Sequence, residues 1–245
     1  MKIRFLGTSH GVPMPGRHYQ SILIDTEKGG YIIDAGAPVM DILINDEYDL
    51  TKIKAIFATH MHGDHINGIP DIICLGTWYY TDMNFKLFLP EQRGIDSIRE
   101  YCSMLMYKKE APNRISYHLF EEGLVYDDGN VRITSFSTDH MDATSDIAYG
   151  FLVEAEGKKI YITGDMHRTL KDFRNFLYEE KIDLLITECA HFSHEQLCEK
   201  IKHCKTECVA IIHVFPTDKY EKLKFLEKEM PFKMIYPNDG DVYEI

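Results

Sequence analysis

The feature that most constrains the fold of this chain is a cluster of metal-ligand side chains directly after a short apolar run. The run Ile53–Ala58 has the length and composition of a buried strand, and Thr-His-Met-His-Gly-Asp-His follows it at residues 59–65. The ligand-type residues in this segment are His60, His62, Asp64 and His65. A catalytic zinc ion takes three protein ligands and a water. Four ligands in one short loop therefore predict two metal ions that complete their ligand sets elsewhere in the chain.

Three further ligand-type residues lie at the ends of predicted strands later in the chain. They are His140, Asp165 and His213, at the ends of the strands that begin at Val131, Lys159 and Val209. In open α/β folds, binding sites form where the ends of several strands converge. This convergence favours a metal centre over the alternative, in which the histidines belong to a surface loop or bind metal adventitiously.

Alternating strand and helix patterns predict the fold class. Strands are predicted at Lys2–Leu6, Ser21–Thr26, Tyr31–Asp34, Ile53–Ala58, Val131–Ser137, Ile147–Glu154, Lys159–Thr163, Asp183–Thr187 and Val209–His213. Helices are predicted at Pro38–Leu43, Ile95–Lys109, Leu170–Glu180 and from Ser193 to Cys204, where Ser193 and Gln196 have capping-box spacing. Strands separated by helices indicate a layered α/β architecture. Since 44% of the 245 residues are hydrophobic, we expect one domain over residues 1–245.

The net charge bears on the class of substrate. The chain has 27 Lys and Arg residues against 39 Asp and Glu residues, which gives a net charge of −12. Proteins bind long nucleic acids largely by neutralising phosphates with Lys and Arg. An acidic chain is therefore expected to act on a small molecule rather than on a long nucleic acid.

Apolar runs and cysteines bear on the cellular location. No run approaches the roughly 20 apolar residues of a transmembrane helix, so no membrane association is expected. The apolar run near Met1 is too short for the core of a signal peptide. The six cysteines include no C-x-x-C pair, and in a chain of this length they are expected to be reduced. These features predict a cytoplasmic protein.

The segment Thr-His-Met-His-Gly-Asp-His resembles the signature of the metallo-β-lactamase superfamily. That resemblance implies a four-layer αββα sandwich that binds one or two metal ions at its edge. The opening segment Gly7–Arg17, with Ser21 and Asp34-Ala-Gly36, resembles the branch of ribonuclease Z and related phosphodiesterases. The closing Asn238-Asp-Gly240 is similar to the Asp-Gly pair near the end of those chains.

The resemblance also implies which residues bind metal. His60, His62 and His140 would hold one ion, and Asp64, His65 and His213 would hold the other. Asp165 would bridge the two ions. A ligand set rich in histidine makes zinc the expected metal, while the Asp ligands leave manganese and iron open.

Two details separate this chain from specific members of the branch. The tRNA-clamping arm of ribonuclease Z lies between the positions of His140 and Asp165, which here are 25 residues apart and leave room only for a hairpin. The phosphoribosyl cyclic phosphodiesterases carry a cysteine-rich zinc loop near the N-terminus, and Val12–Gln20 contains no cysteine. Neither specific identity follows from the sequence.

These observations predict a binuclear metal-dependent hydrolase, with a small phosphodiester or cyclic phosphate as the favoured substrate. Asp64 is a candidate proton acceptor. Cleavage of a phosphodiester benefits from an acid that protonates the leaving oxygen. His191 is the first candidate because it follows a buried strand, and His194 is the second because a helix N-terminus lowers the pKa of a histidine. His10 and His18 are further candidates for substrate contact.

Two other functions stay open at this point. A lactonase or thioesterase would use the same metal ions on a carbonyl and would not need an acid at position 191 or 194. A non-catalytic binding protein would be expected to have lost some of the ligands, and all of them are present. The segment Cys74–Pro112 is rich in aromatic residues and Met, from Trp78 to Tyr107, which indicates either core or homodimer packing or a wall over the active site.

Overall fold

In residues 1–106, 110–141 and 147–245, which the computed structural model describes, the strands form two mixed sheets of seven strands each. The chain divides into two units, and each unit contains one sheet. Unit 1 comprises Met1–Glu121 and Asp239–Glu244, and unit 2 comprises Glu122–Asn238 with Ile245. The expectation of a single domain over residues 1–245 stays a prediction.

The sheet of unit 1 has the order β14-β1-β2-β3-β4-β5-β6. Its strands are β1 Lys2–Gly7, β2 Ser21–Thr26, β3 Gly29–Ala35, β4 Ile53–Phe57, β5 Phe85–Leu89, β6 Ile115–Leu119 and β14 Val242–Glu244. Strands β3 to β6 run parallel to one another, whereas β14, β1, β2 and β3 pair antiparallel. The helices are α1 Val39–Asn45, α2 Gly63–Ile66, α3 Ile69–Trp78 and α4 Gln92–Met106. Helices α1, α3 and α4 pack their apolar side chains with those of the sheet into one core.

The sheet of unit 2 has the order β13-β12-β11-β10-β9-β8-β7. Its strands are β7 Gly123–Asp127, β8 Val131–Thr138, β9 Ala148–Ala155, β10 Lys158–Ile162, β11 Ile182–Cys189, β12 Thr206–Val214 and β13 Lys233–Ile235. Strands β7 to β10 pair antiparallel, and β10 to β13 pair parallel. The helices are α5 Phe176–Glu179, α6 His194–Ile201 and α7 Lys219–Leu226. All three contribute side chains to a second core.

The parallel strands position the ligand-type residues in each unit. In unit 1, β4 ends shortly before residues 59–65, and Asp34 at the end of its parallel neighbour β3 bonds to Thr59. In unit 2, Asp165 and His191 follow the carboxyl ends of β10 and β11, and His213 is the penultimate residue of β12. Parallel neighbours place these ends at one edge of each sheet, which is where α/β folds build their sites.

The predicted α/β class is confirmed, and one predicted element is wrong. The capping box at Ser193 is present, with both of its reciprocal hydrogen bonds. The helix predicted at Leu170–Glu180 is limited to α5, because Leu170 has a left-handed backbone with φ of 54°. The carboxylate of Asp172 accepts the backbone N–H groups of Asp139 and His167, both at 2.9 Å. These tertiary hydrogen bonds hold the segment before α5 in turns.

The segment Cys74–Pro112 forms α3, β5 and α4. Cys102 and Met106 are buried in the core of unit 1, whereas Trp78 and Tyr101 are about half exposed, at 49% and 50%. Tyr107, which belongs to the same predicted cluster, lies outside the described residues. The six cysteines are free thiols. Among the described residues, no helix has both the length and the apolar character needed to cross a membrane.

Candidate metal centre

Asp34 organises the ligand loop of unit 1. Its carboxylate is fully buried and accepts the backbone N–H of Thr59 at 2.7 Å and the Thr59 hydroxyl at 3.0 Å. The side-chain amide of Gln20 donates to the same carboxylate at 2.8 Å. Asp34 has a φ of 58°, a conformation that non-glycine residues adopt only when their surroundings enforce it. The backbone conformation at the end of β3 therefore places the Asp34 carboxylate next to Thr59, where the loop 59–65 begins.

In two histidines of the loop, a hydrogen bond at Nδ1 fixes the orientation of the ring. Nδ1 of His65 lies 2.8 Å from the Asp34 carboxylate, and Nδ1 of His60 lies 3.0 Å from the Thr59 hydroxyl. A carboxylate only accepts hydrogen bonds, so Nδ1 of His65 carries the proton and Nε2 is the available ligand atom. Metal-ligating histidines are commonly oriented in this way by a partner on the other ring nitrogen.

The other nitrogen atoms of these two rings each lie near a second ligand-type side chain. Nε2 of His60 lies 2.9 Å from Nδ1 of His62, and Nε2 of His65 lies 3.5 Å from the Asp64 carboxylate. Gly36 allows this arrangement because β3 ends against the loop. A Cβ atom at position 36 would lie 1.8 Å from the carbonyl oxygen of Asp64, which is far inside van der Waals contact.

In unit 2, the carboxylate of Asp165 lies among three histidine rings. Its oxygens are 3.7 Å from Nε2 of His140, 3.8 Å from Nε2 of His191 and 3.7 Å from Nδ1 of His213. These distances are too long for hydrogen bonds. They are close to the separation of about 3.4 Å expected between two donors on one tetrahedral ion. Asp165 and His213 are each only 2% exposed, so the donor set and its burial fit a metal ion.

Glu188 holds His191 from the side opposite Asp165. Its buried carboxylate lies 2.8 Å from Nδ1 of His191 and accepts the backbone N–H groups of His191, Ala190 and Met166. Nδ1 of His191 therefore carries a proton, and Nε2 faces Asp165. The bond to Met166 also ties the loop after Asp165 to the same carboxylate. A single buried acid thus sets the position of both residues.

The other candidate histidines have different surroundings. His194 is the first residue of α6, and its Nε2 lies 3.0 Å from the exposed carboxylate of Glu195. His10 is buried, and its Nδ1 accepts the backbone N–H of Val12 at 2.7 Å. His18 is exposed.

The structure brings the predicted ligands together within each unit. His60, His62, Asp64 and His65 lie together in unit 1, and His140, Asp165 and His213 lie together in unit 2, with His191 beside them. Their assignment as ligands stays a prediction. Sequence reasoning missed the roles of Asp34 and Glu188. A Glu at the end of the apolar strand β11, three residues before a histidine, was the available signal for Glu188.

Comparisons with known proteins fit this description. Residues 1–206 match the family model described as the anti-Pycsar protein Apyc1. A ribonuclease Z of Listeria monocytogenes is 30% identical over 145 residues, which are 57% of this chain and 46% of that enzyme. The chain thus spans about half the length of the curated relatives it matches.

Several solved structures are similar to the chain over its whole length, and two of them illustrate the fold. The metallo-β-lactamase fold protein YhfI of Bacillus subtilis has a TM-score of 0.80 at 17% identity and is covered to 98% of its length. The short form of human tRNase Z has a TM-score of 0.76 at 20% identity and is covered to 99%. These similarities confirm the predicted metallo-β-lactamase fold and the resemblance to the ribonuclease Z branch.

Proposed function

We propose that the chain, which belongs to the family of the anti-Pycsar protein Apyc1, is a metal-dependent phosphodiesterase. Its proposed substrate is a small phosphodiester or cyclic phosphate. The observation that carries this proposal is His191, whose Nδ1 is held by Glu188 and whose Nε2 lies 3.8 Å from the Asp165 carboxylate. A histidine in that position is suited to protonate a leaving oxygen. The relatives are named ribonucleases, so the predicted class of metal-dependent hydrolase agrees with them.

The proposed ligand sets are those implied by the resemblance to the metallo-β-lactamase superfamily. His60, His62 and His140 would hold one divalent ion, Asp64, His65 and His213 would hold the other, and Asp165 would serve both. Zinc is favoured by the histidine-rich donors, with manganese or iron as alternatives. When bound, such ions supply an activated water and offset negative charge on the phosphoryl oxygens. Two findings support these sets: the buried carboxylate of Asp165, and the oriented rings of His60 and His65.

The residues of the chain then divide the proton transfers between them. His191 donates a proton from Nε2 to the leaving oxygen, since its Nδ1 is already bonded to Glu188. Asp64 is the candidate acceptor for the proton of the attacking water. His194 is the second candidate for the acid, although its ring nitrogen pairs with Glu195.

Lactonase or thioesterase activity is the alternative, and it would leave the Glu188–His191 pair without a chemical role. A carbonyl substrate with a good leaving group needs no acid at this position. A non-catalytic binding protein is a weaker alternative, because it would not need to retain all seven ligand-type residues.

A substrate panel tests the proposal on metal-replete protein. We expect cleavage of bis-p-nitrophenyl phosphate and of cyclic nucleotides to exceed turnover of lactones, thioesters and β-lactams. The metal-depleted protein is the control, because contaminating phosphodiesterases would not follow its metal content. Robust lactone or thioester turnover without phosphodiester cleavage would replace the proposal with the alternative.

Pre-tRNA is expected to be a poor substrate. The net charge of −12 opposes binding of a long polyanion. The described residues between His140 and Asp165 form the hairpin of β9 and β10, which is not an extended arm. Trimming of a pre-tRNA 3′ end should be compared with bis-p-nitrophenyl phosphate cleavage across a series of salt concentrations. Efficient trimming that falls steeply with salt would contradict this expectation.

The cellular location and the oligomeric state are also proposals. We propose a cytoplasmic protein, in line with six cysteines that are all free thiols. A homodimer is proposed from the apolar side chains exposed on α3 and α4, among them Trp78 and Met104.

A further inference from the structure

One lysine binds three backbone carbonyl groups of the loop that contains His191. Nζ of Lys219 lies 3.0 Å from the carbonyl oxygen of Cys189, 3.2 Å from that of Ala190 and 2.6 Å from that of Phe192. An ammonium group has three N–H donors, so these three carbonyls use its full capacity. The lysine therefore spans both sides of His191 along the chain.

The opposite side of the same loop is bound by Glu188. Its carboxylate accepts the backbone N–H groups of Ala190 and His191 at 2.8 and 3.2 Å. In the loop 189–192, two backbone N–H groups thus donate to a buried carboxylate, and three carbonyl groups accept from an ammonium group. Hydrogen bonds to charged groups are stronger than those between neutral groups. Together the two charges define one conformation of a short irregular turn.

Helix stability does not account for a lysine at position 219. Lys219 is the first residue of α7, and a cation is unfavourable at a helix N-terminus. Lys222 and Lys224 of the same helix form exposed ion pairs with Asp218 and Glu221, which are ordinary surface contacts. Lys219 differs from both, because its ammonium group contacts the backbone of another segment.

We infer that Lys219 is a positioning residue that holds the loop 189–192 so that Nε2 of His191 faces Asp165. The inference rests on the proposed function, in which His191 protonates the leaving oxygen. A displacement of about 1 Å in a catalytic group can cost roughly 100-fold in rate. Loss of Lys219 should therefore slow proton donation by His191, although the His191 side chain is still present.

The test uses Lys219→Met, with Lys222→Met as the matched control on the same helix. We expect Lys219→Met to lower kcat for an alkyl phosphodiester by about 10- to 100-fold, and to leave cleavage of a p-nitrophenyl ester nearly unchanged. Lys222→Met should behave like the unaltered protein on both substrates. Metal content, measured by elemental analysis, should be the same in all three proteins.

Amide hydrogen exchange supplies a readout that does not depend on activity. Exchange at Ala190 and His191 should accelerate in Lys219→Met and stay unchanged in Lys222→Met, because the loop is released in the first variant only. If Lys219→Met does not fold, Lys219→Gln, which keeps two donors, is measured in the same way.

The possible failures are distinguishable. Equal slowing of both substrates by Lys219→Met, or unchanged exchange at Ala190 and His191, would overturn the inference about Lys219. An unaltered protein that cleaves no phosphodiester would overturn the proposed function instead. In that case, faster exchange in Lys219→Met would still support a positioning role for Lys219 in the loop.

Discussion

Replacing Asp165 with alanine should reduce phosphodiesterase activity to background and lower the metal content of the protein. We expect close to two transition-metal ions per chain in the unaltered, metal-replete protein. The carboxylate of Asp165 is buried among His140, His191 and His213, and its removal takes away the negative charge that balances a cation there. Elemental analysis and rates of bis-p-nitrophenyl phosphate cleavage measure the two effects together.

Asp218→Ala is the control for the Asp165 variant. Asp218 is an exposed carboxylate of the same unit that pairs with Lys222, so its loss should change neither metal content nor rate. A chelator should inactivate the unaltered protein, and added zinc should restore it. Full activity in Asp165→Ala would refute the metal centre, and so would the absence of bound ions from protein that was incubated with zinc, manganese and iron.

Replacing His191 with alanine should lower the rate on an alkyl phosphodiester by about 10²- to 10⁴-fold, the usual cost of losing a general acid. The loss should be much smaller for a p-nitrophenyl ester, since this leaving group needs little protonation. Metal content should be retained. The measurement is a comparison of the two substrates and of bound metal in the same preparations.

His194→Ala is the comparison that decides between the two candidate acids. We expect it to be nearly silent, because the ring of His194 pairs with an exposed Glu195. If His194→Ala shows the leaving-group effect and His191→Ala does not, the acid lies at the start of α6. If His191→Ala loses metal, His191 is a ligand rather than an acid.

Much of the frame around the site could be predicted from local patterns. The strand Ser21–Thr26 was predicted with the bounds that the structure has, and β4 ends at Phe57, one residue before the predicted end. Both strands are rich in apolar and β-branched residues, so periodicity and composition suffice to find them. The ligand-type residues could be found in the same way, because each lies at or shortly after the end of such a strand.

The supporting residues could not be predicted, because their roles depend on contacts between distant segments. Asp34 lies 25 positions before Thr59, and only the parallel pairing of β3 and β4 brings them together. Asp172 likewise acts on Asp139, 33 positions away, and this contact replaces the helix that local propensity favoured. Local sequence patterns predict a strand or a capping box, but they do not predict which distant residues will be in contact.

The close approach of Gly36 to Asp64 bears on how the loop 59–65 would receive a metal ion. The loop 59–65 is held by β3 through the close approach of Gly36 and through the hydrogen bonds of Asp34 to Thr59 and His65, all of which join protein atoms. A ligand loop shaped in advance loses little conformational entropy when it captures an ion. Binding of an ion should therefore need little rearrangement of residues 59–65.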